Sequence, residues 1–324
     1  MTEQESPEVP VSESPPDFSC VLPVYFNEGA LTNTFNELKE RVIDANPEYT
    51  AEIIFVDDGS GDGSFKELVG LHKENPGLVK IVKLTRNFGQ VSALMAGFSQ
   101  ARGRCVIAMS ADGQDPVDLI NEMIKGYFDD HYEVVICHRE EREESYSRRL
   151  TSEIFYSLVR RLSFSNMPVG GFDYFLLGKR ALQVLLRNTE AHPFLQGQIL
   201  WTGFPVKYLS YRRKKREIGE SRWTLGKKIT YLIDGVMSYS SMPIRLMSVA
   251  GALIASTGFL YAIFIIGTRL IWGSTIQGWA ALMVVSLILG GIQLLMLGVI
   301  GEYMWRTLAQ ARKRDAYVIE EVLE

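Results

Sequence analysis

The apolar positions of the first 140 residues fall into two alternating rhythms. Residues 18–25, 52–56, 79–84, 105–109 and 133–137 are short runs, rich in β-branched residues and apolar on both faces. That is the pattern of strands buried inside a parallel sheet. Between them, residues 30–45, 64–75, 90–101 and 116–129 carry apolar side chains at helical spacing, which predicts helices. Asp62 or Ser64, and Asp115, stand where helix caps belong, and Pro116 suits a first helical position. Alternating strand and helix imply an α/β domain, a mostly parallel sheet with helices on both faces.

The rhythm changes near the C-terminus. Residues 246–271 are apolar with one charge, Arg269, and residues 279–300 carry none. Each run reaches the ~20 residues that cross a ~30 Å hydrocarbon core. Gly290, Gly291 and Gly298 suit close helix packing in lipid, and Trp272, Trp279 and Trp305 lie near the ends, where aromatic belts sit. Lys and Arg crowd both flanks: 212–216, Arg222, Lys227, Lys228 and Arg245 before, then Arg306, Arg312, Lys313 and Arg314 after. The loop 273–278 has no charge. The positive-inside rule then predicts an integral membrane protein of two spans, with both termini and the α/β domain cytoplasmic.

The expected layout is a disordered tail at 1–17, an α/β domain at 18–223, and an amphipathic juxtamembrane segment at 224–244. The helix pair comes next at 245–305, then a cytoplasmic tail at 306–324. The first stretch is rich in Glu, Ser and Pro and lacks the basic and apolar regions of a signal peptide. The chain has 324 residues and a net charge of −4, which gives no basic face for nucleic acid as a main partner. Cys20, Cys105 and Cys137 sit singly in apolar runs, as in a reducing compartment. Self-association stays open.

The polar residues collect where the strands end. The first predicted strand runs into Tyr25, Asn27 and Glu28, the second into Asp57 and Asp58, the fourth into Ser110–Asp115, and the fifth into His138 and Arg139. In an open α/β sheet, ligands bind outside the carboxyl ends of the strands. No GxGxxG follows the first strand and no GxxxxGK[ST] occurs, which disfavours a dinucleotide fold and a P-loop. The turn "GSGDG" at 59–63 is compatible with a plain strand-to-helix connection. A carboxylate-rich rim without a phosphate-cradling loop suits Mg2+ or Mn2+ bridging a diphosphate.

The motifs "VLPVYFNEG", "IIFVDDGSGDGS", "LTRNFGQVSALMAGF", "SADGQDP" and "REIGESRW" stand in this order. Together they resemble the polyprenyl-phosphate glycosyltransferases of glycosyltransferase family 2. The last apolar stretch is similar to the two-helix hairpin of their bacterial branch. The resemblance implies a GT-A fold, a nucleotide-sugar donor (a UDP-sugar such as UDP-glucose), a divalent cation and a polyprenyl-phosphate acceptor at the bilayer. It assigns the nucleotide to Pro23, Tyr25, Asn27, Glu28, Asp57, Asp58, Ser110 and Ala111, and the metal to Asp112 and Gln114.

The family's usual D-A-D-L-Q reads Ser110-Ala111-Asp112-Gly113-Gln114 here. Losing a carboxylate weakens affinity for a hard cation. Ser110 is left to offer a hydroxyl or hold a water, and Asp115 to supply charge as a third ligand or to cap the next helix. Arg139, Arg148, Ser152, Arg216 and Arg222 fall on the acceptor-phosphate side, with Arg149 an alternative to Arg148. The same arginines also suit pairing with the acidic run 140–144, or attraction to the membrane surface. Asp173 joins Asp112 in the catalytic set, either facing the sugar or turning the chain after Gly170 and Gly171.

Two rival readings keep the same fold. A processive polysaccharide synthase would need Q-x-x-R-W and further spans, whereas Gly219 stands where that Gln would be. A membrane-anchored binding protein with a degenerate site is the other, suggested by Ser110.

Overall fold

The computed structural model describes residues 14–139, 160, 164, 166–168, 170–188, 190, 194–212, 242–272 and 278–324. The juxtamembrane segment at 224–241, most of the expected tail at 1–17, Arg148, Ser152, Arg216 and Arg222 lie outside them.

The first half alternates as its periodicity predicts. The order is β1 (Phe18–Val24), α1 (Leu31–Leu38), β2 (Ala51–Asp57), α2 (Ser64–Glu74), β3 (Val79–Leu84), α3 (Gln90–Gln100), β4 (Cys105–Ala108), α4 (Leu119–Phe128) and β5 (Val134–Arg139). A π-helical turn, Lys39–Ile43, extends α1. Then come β6 (Tyr174–Gly178), α5 (Lys179–Arg187), α6 (Leu195–Trp201) and β7 (Val206–Tyr211). Two long helices come next, α7 (Met242–Trp272) and α8 (Trp279–Ala311), and last a short strand, β8 (Ile319–Leu323).

All eight strands form one sheet in the order β7-β5-β6-β4-β1-β2-β3-β8. β1, β2, β3 and β4 run parallel, as do β5 and β7. β6 is antiparallel to both its neighbours, β4 and β5. Successive side chains of a strand point to opposite faces, and here both faces are covered. Cys20, Leu22 and Val24 pack with Leu31, Phe35 and Ile120 on one side. Val21, Val56 and Val106 pack with Ala93, Leu94 and Leu182 on the other. Each fully buried aliphatic side chain contributes about 1.5–3 kcal/mol, so these two layers hold the strand ends in place.

Two expectations are corrected. The fourth helix begins at Leu119, with Asp118 and not Asp115 at its N-cap. Asp115 is buried and its carboxylate accepts from the Ser110 N–H and the Tyr211 hydroxyl, so residues 116–118 form a turn before the helix. The C-terminal residues are more than a tail. β8 pairs antiparallel with β3, placing Ile81 beside Leu323 and Val82 beside Val322. Lys80 pairs with Glu324, and Lys83 with Glu320 at 3.1 Å. The strand is too short to show a period of its own and borrows its order from the edge of β3.

α7 and α8 each contain a stretch long and apolar enough to cross a membrane, Ile244–Tyr261 and Ile288–Ala311. Leu253, Phe259, Phe264, Leu282, Leu294 and Leu295 are exposed along them, an apolar surface that asks for lipid or another cover.

Candidate active site

Every parallel strand of the sheet ends on the same rim, and β6, being antiparallel, begins there. The topology therefore gathers Asn27 and Glu28 after β1, Asp57 at the end of β2 and Asp58 just after it, and Ser110–Asp115 after β4. It adds Arg139 on β5, Tyr211 on β7 and Asp173 just before β6.

The β1 and β2 ends of the rim are built from two interlocked loops. The backbone N–H groups of Phe26 and Asn27 donate to the hydroxyls of Ser60 (3.2 Å) and Ser64 (2.9 Å). The Glu28 carboxylate accepts the Gly63 N–H at 2.9 Å, and Asn27 Oδ1 accepts the Tyr25 N–H at 2.9 Å. The Tyr25 ring is exposed at the rim, and Pro23 lies behind it, half-buried within β1.

The two adjacent aspartates face inward. Asp57 accepts the Ser60 N–H at 3.2 Å, and burial raises its pKa despite that bond. Asp58 accepts the Phe88 N–H at 2.7 Å and the Gly89 N–H at 2.9 Å, one on each oxygen. Burial raises its pKa too, more than those two donors lower it. Asp58 thus pins the loop that starts α3. Gly59 makes this possible: its φ is +69°, and a Cβ there would lie 2.7 Å from the Arg86 and Asn87 backbone.

The acidic turn folds on itself. Ser110 Oγ donates to Asp112 Oδ1 at 2.6 Å, and the Gln114 N–H reaches the same oxygen at 3.2 Å. The buried Ala111 accepts from the Thr34 hydroxyl of α1 at 3.3 Å. Ser110, which replaces the family's first Asp, therefore orients Asp112. Among the described residues, no three or more His, Cys, Asp or Glu side chains converge as a ready cage for a metal. What the turn offers is carboxylate, amide and hydroxyl oxygen. That set fits Mg2+ or Mn2+, cations commonly held by one or two carboxylates with the remaining positions filled by water and phosphate oxygens.

Across β5–β7, an Arg139 Nη lies 3.5 Å from Asp173 Oδ2, and Arg139 Nε donates to the Tyr211 hydroxyl at 3.4 Å. Burial lowers the Arg139 pKa, but Asp173 and Tyr211 more than offset this and leave it raised. Gln196 of α6 donates to the Phe172 carbonyl (2.6 Å) and to Asp173 Oδ1 (3.5 Å), so Asp173 is held from both sides.

The rim thus carries the interlocked β1 and β2 loops, an acidic turn and an Arg139–Asp173 pair. Tyr211 and Gln196 were not visible as site residues in the sequence. The signal for Tyr211 was its place at the end of an alternating stretch, and for Gln196 a polar residue inside an apolar helix.

Architecture and rim define a GT-A-like α/β domain carried on a chain with two apolar helices. Residues 19–186 match the family described as Glycosyl transferase family 2, and the chain belongs to that family. It is 36% identical over 305 residues to "Uncharacterized glycosyltransferase YkcC" of Bacillus subtilis (strain 168), covering 94% of this chain and 93% of the relative. It is 30% identical over 305 residues to "Prophage bactoprenol glucosyl transferase homolog" of Escherichia coli (strain K12), covering 94% and 98%. The solved mannosyltransferase PcManGT from Pyrobaculum calidifontis, in complex with GDP-Man and Mn2+, shares the fold at a TM-score of 0.51. The identity there is 16%, over 94% of this chain and 90% of that one.

Proposed function

We propose that this protein transfers a hexosyl group, with inversion, from a nucleotide sugar to the phosphate of a polyprenyl phosphate at the cytoplasmic face of a membrane. The observation that carries the reading is the juxtaposition on one rim of the Asp112 turn with the Arg139–Asp173 pair. Near-full-length relatives named as bactoprenol glucosyl transferases support the acceptor class. They also favour a UDP-hexose such as UDP-glucose as donor, although the names print no nucleotide.

The acceptor oxygen attacks the anomeric carbon, and the bond from that carbon to the diphosphate breaks. A phosphate monoester is already anionic at neutral pH, so it needs little help from a base. What it needs is alignment and relief from repulsion by the donor diphosphate. Arg139 supplies the positive charge for the acceptor, and Asp173 orients it. Arg148, Ser152, Arg216 and Arg222 are proposed to add to the same phosphate site. Asp112 and Gln114 hold the cation, which when bound stabilises charge on the leaving nucleoside diphosphate; Asp115 supports the turn from behind. Tyr25, Asn27 and Glu28, with Pro23 and the inward pair Asp57 and Asp58, shape the nucleotide side beside Ser110 and Ala111.

The return of β8 to the sheet supports the orientation. The sheet lies before α7 in the chain and β8, after α8, returns to it, which supports an even number of bilayer crossings.

The test is transfer to undecaprenyl phosphate by the purified protein in detergent, with a panel of UDP- and GDP-sugars, in Mg2+, Mn2+ or EDTA. Lipid-linked sugar should form only with the cation and fall at least about 100-fold in Asp112→Ala. Activity surviving both EDTA and the substitution would remove the metal assignment. Nucleotide-sugar binding without transfer from any donor would favour the degenerate binding protein.

A further inference from the structure

We propose that Tyr211 is a positioning residue that ties the acidic turn to the acceptor-side arginine, setting both in one frame. The inference rests on the reading of the rim given under Proposed function.

Tyr211 is the last residue of β7, and register places it beside Arg139 on β5. Its ring is buried and meets the Tyr174 ring edge-on, with centroids 5.9 Å apart. That leaves the hydroxyl little freedom. It donates its one proton to Asp115 Oδ1 at 3.0 Å. A lone pair of the same oxygen receives Arg139 Nε–H at 3.4 Å. Asp115 in turn accepts the Ser110 N–H at 3.2 Å, at the root of the turn that carries Asp112. Tyr174 reinforces the link by donating to the Pro116 carbonyl at 3.1 Å. The result is a continuous path: Ser110 backbone, Asp115, Tyr211, Arg139, Asp173, Gln196.

The chemistry of this arrangement is specific. Arg139 already meets one carboxylate, Asp173, at an Nη. The Tyr211 hydroxyl holds Nε without placing a second carboxylate, Asp115, directly against the guanidinium. Nε is also the nitrogen that fixes the plane of the guanidinium, so its restraint aims the Nη groups, one of which meets Asp173. β7 is followed in the sequence by the stretch containing Arg216 and Arg222.

The test uses the full-length protein in detergent with a double-mutant cycle, Tyr211→Phe and Arg139→Lys. Phe keeps the ring packing and removes only the hydroxyl; Lys keeps the charge and removes Nε. Two affinities are read directly, for undecaprenyl phosphate and for UDP with Mn2+, together with kcat and KM for transfer. Tyr211→Phe should weaken undecaprenyl-phosphate binding about tenfold, the scale of one lost hydrogen bond to a charged group. UDP affinity should stay within twofold, and the thermal midpoint should fall by only a few degrees, the cost of the donor lost by the buried Asp115. In the Arg139→Lys background the same change should add less than twofold. Equal weakening of both ligands, an additive cycle, or unchanged lipid affinity would overturn the proposal. Wild-type protein that binds undecaprenyl phosphate but transfers no sugar would defeat the function proposed above while leaving the tie intact. Wild-type protein that binds no lipid phosphate would overturn both.

Discussion

Replacing Asp58 tests whether it is an architectural carboxylate. Its two oxygens accept the Phe88 and Gly89 N–H groups at 2.7 and 2.9 Å, in a site almost closed to water. Asp58→Ala orphans both donors, and each buried unsatisfied N–H costs about 1–3 kcal/mol, less the desolvation recovered by removing a buried charge. A net loss of about 2–4 kcal/mol results, with Asp58→Asn costing less because its amide oxygen still serves one donor. For a domain of this size that lowers the midpoint by roughly 5–15 °C. The pH dependence has a definite sign. The folded-state pKa of Asp58 is raised, chiefly by burial, so the folded protein holds this proton more tightly than the unfolded chain. This residue's contribution is therefore greatest at low pH. It declines as pH rises from about 4, the unfolded carboxylate value, through the raised folded value. The penalty of Asp58→Ala should shrink over that interval and then level off. Thermal unfolding of wild type, Asp58→Asn and Asp58→Ala between pH 4 and 8 measures it. An alanine variant within 2 °C of wild type, or a penalty that grows with pH, would refute the reasoning.

Other substitutions probe neighbouring joints. Gly59→Ala forces a side chain into a left-handed position against the Arg86–Asn87 backbone and should cost about 2–3 kcal/mol; calorimetric titration should show roughly tenfold weaker nucleotide binding. Truncation after Asp315 removes β8 and bares the edge of β3. It should cost about 2 kcal/mol net of chain ordering and make the detergent-solubilised protein self-associate in sedimentation; a sedimentation profile matching the full chain would contradict this. Glu320→Gln with Glu324→Gln should cost about 1–2 kcal/mol by thermal unfolding, since the carboxylates are largely exposed but the buried Lys80 loses its charged partner.

The half of the site that carries Asn27, Asp57, Asp58 and Asp112 is legible because it is written in contiguous motifs. Strands apolar on both faces announce themselves, and the residues just past the end of each must lie on the rim of a parallel sheet. Pattern alone puts Asp57, Asp58, Asp112 and Arg139 on that rim, without knowledge of any strand pairing. Their orientation is not legible. Whether Asp58 faces a nucleotide or the Phe88 N–H depends on the closeness of two loops, which Gly59 permits and the sequence does not display. The start of α4 departs from expectation for a similar reason. An aspartate before a proline reads as a cap, but a tyrosine 96 residues away claims its carboxylate.

The Arg139–Asp173 half depends on a choice of strand direction that periodicity cannot reveal. β6 inserts antiparallel between β4 and β5, and this alone brings its first residues, not its last, to the rim. Were β6 parallel, Asp173 would sit at the opposite edge of the sheet, far from Arg139. The antiparallel insertion also separates the two halves mechanically. The loops after β1, β2 and β4 carry Asn27, Asp58 and Asp112, whereas Arg139, Asp173 and Tyr211 stand at the rim ends of β5, β6 and β7. Two buried tyrosines reach across between them: Tyr211 donates to Asp115, and Tyr174 to the Pro116 carbonyl. On the function proposed above, a site divided in this way lets the phosphate-acceptor half change while the nucleotide half stays in place, with the two coupled through these hydroxyls at the root of the Asp112 turn.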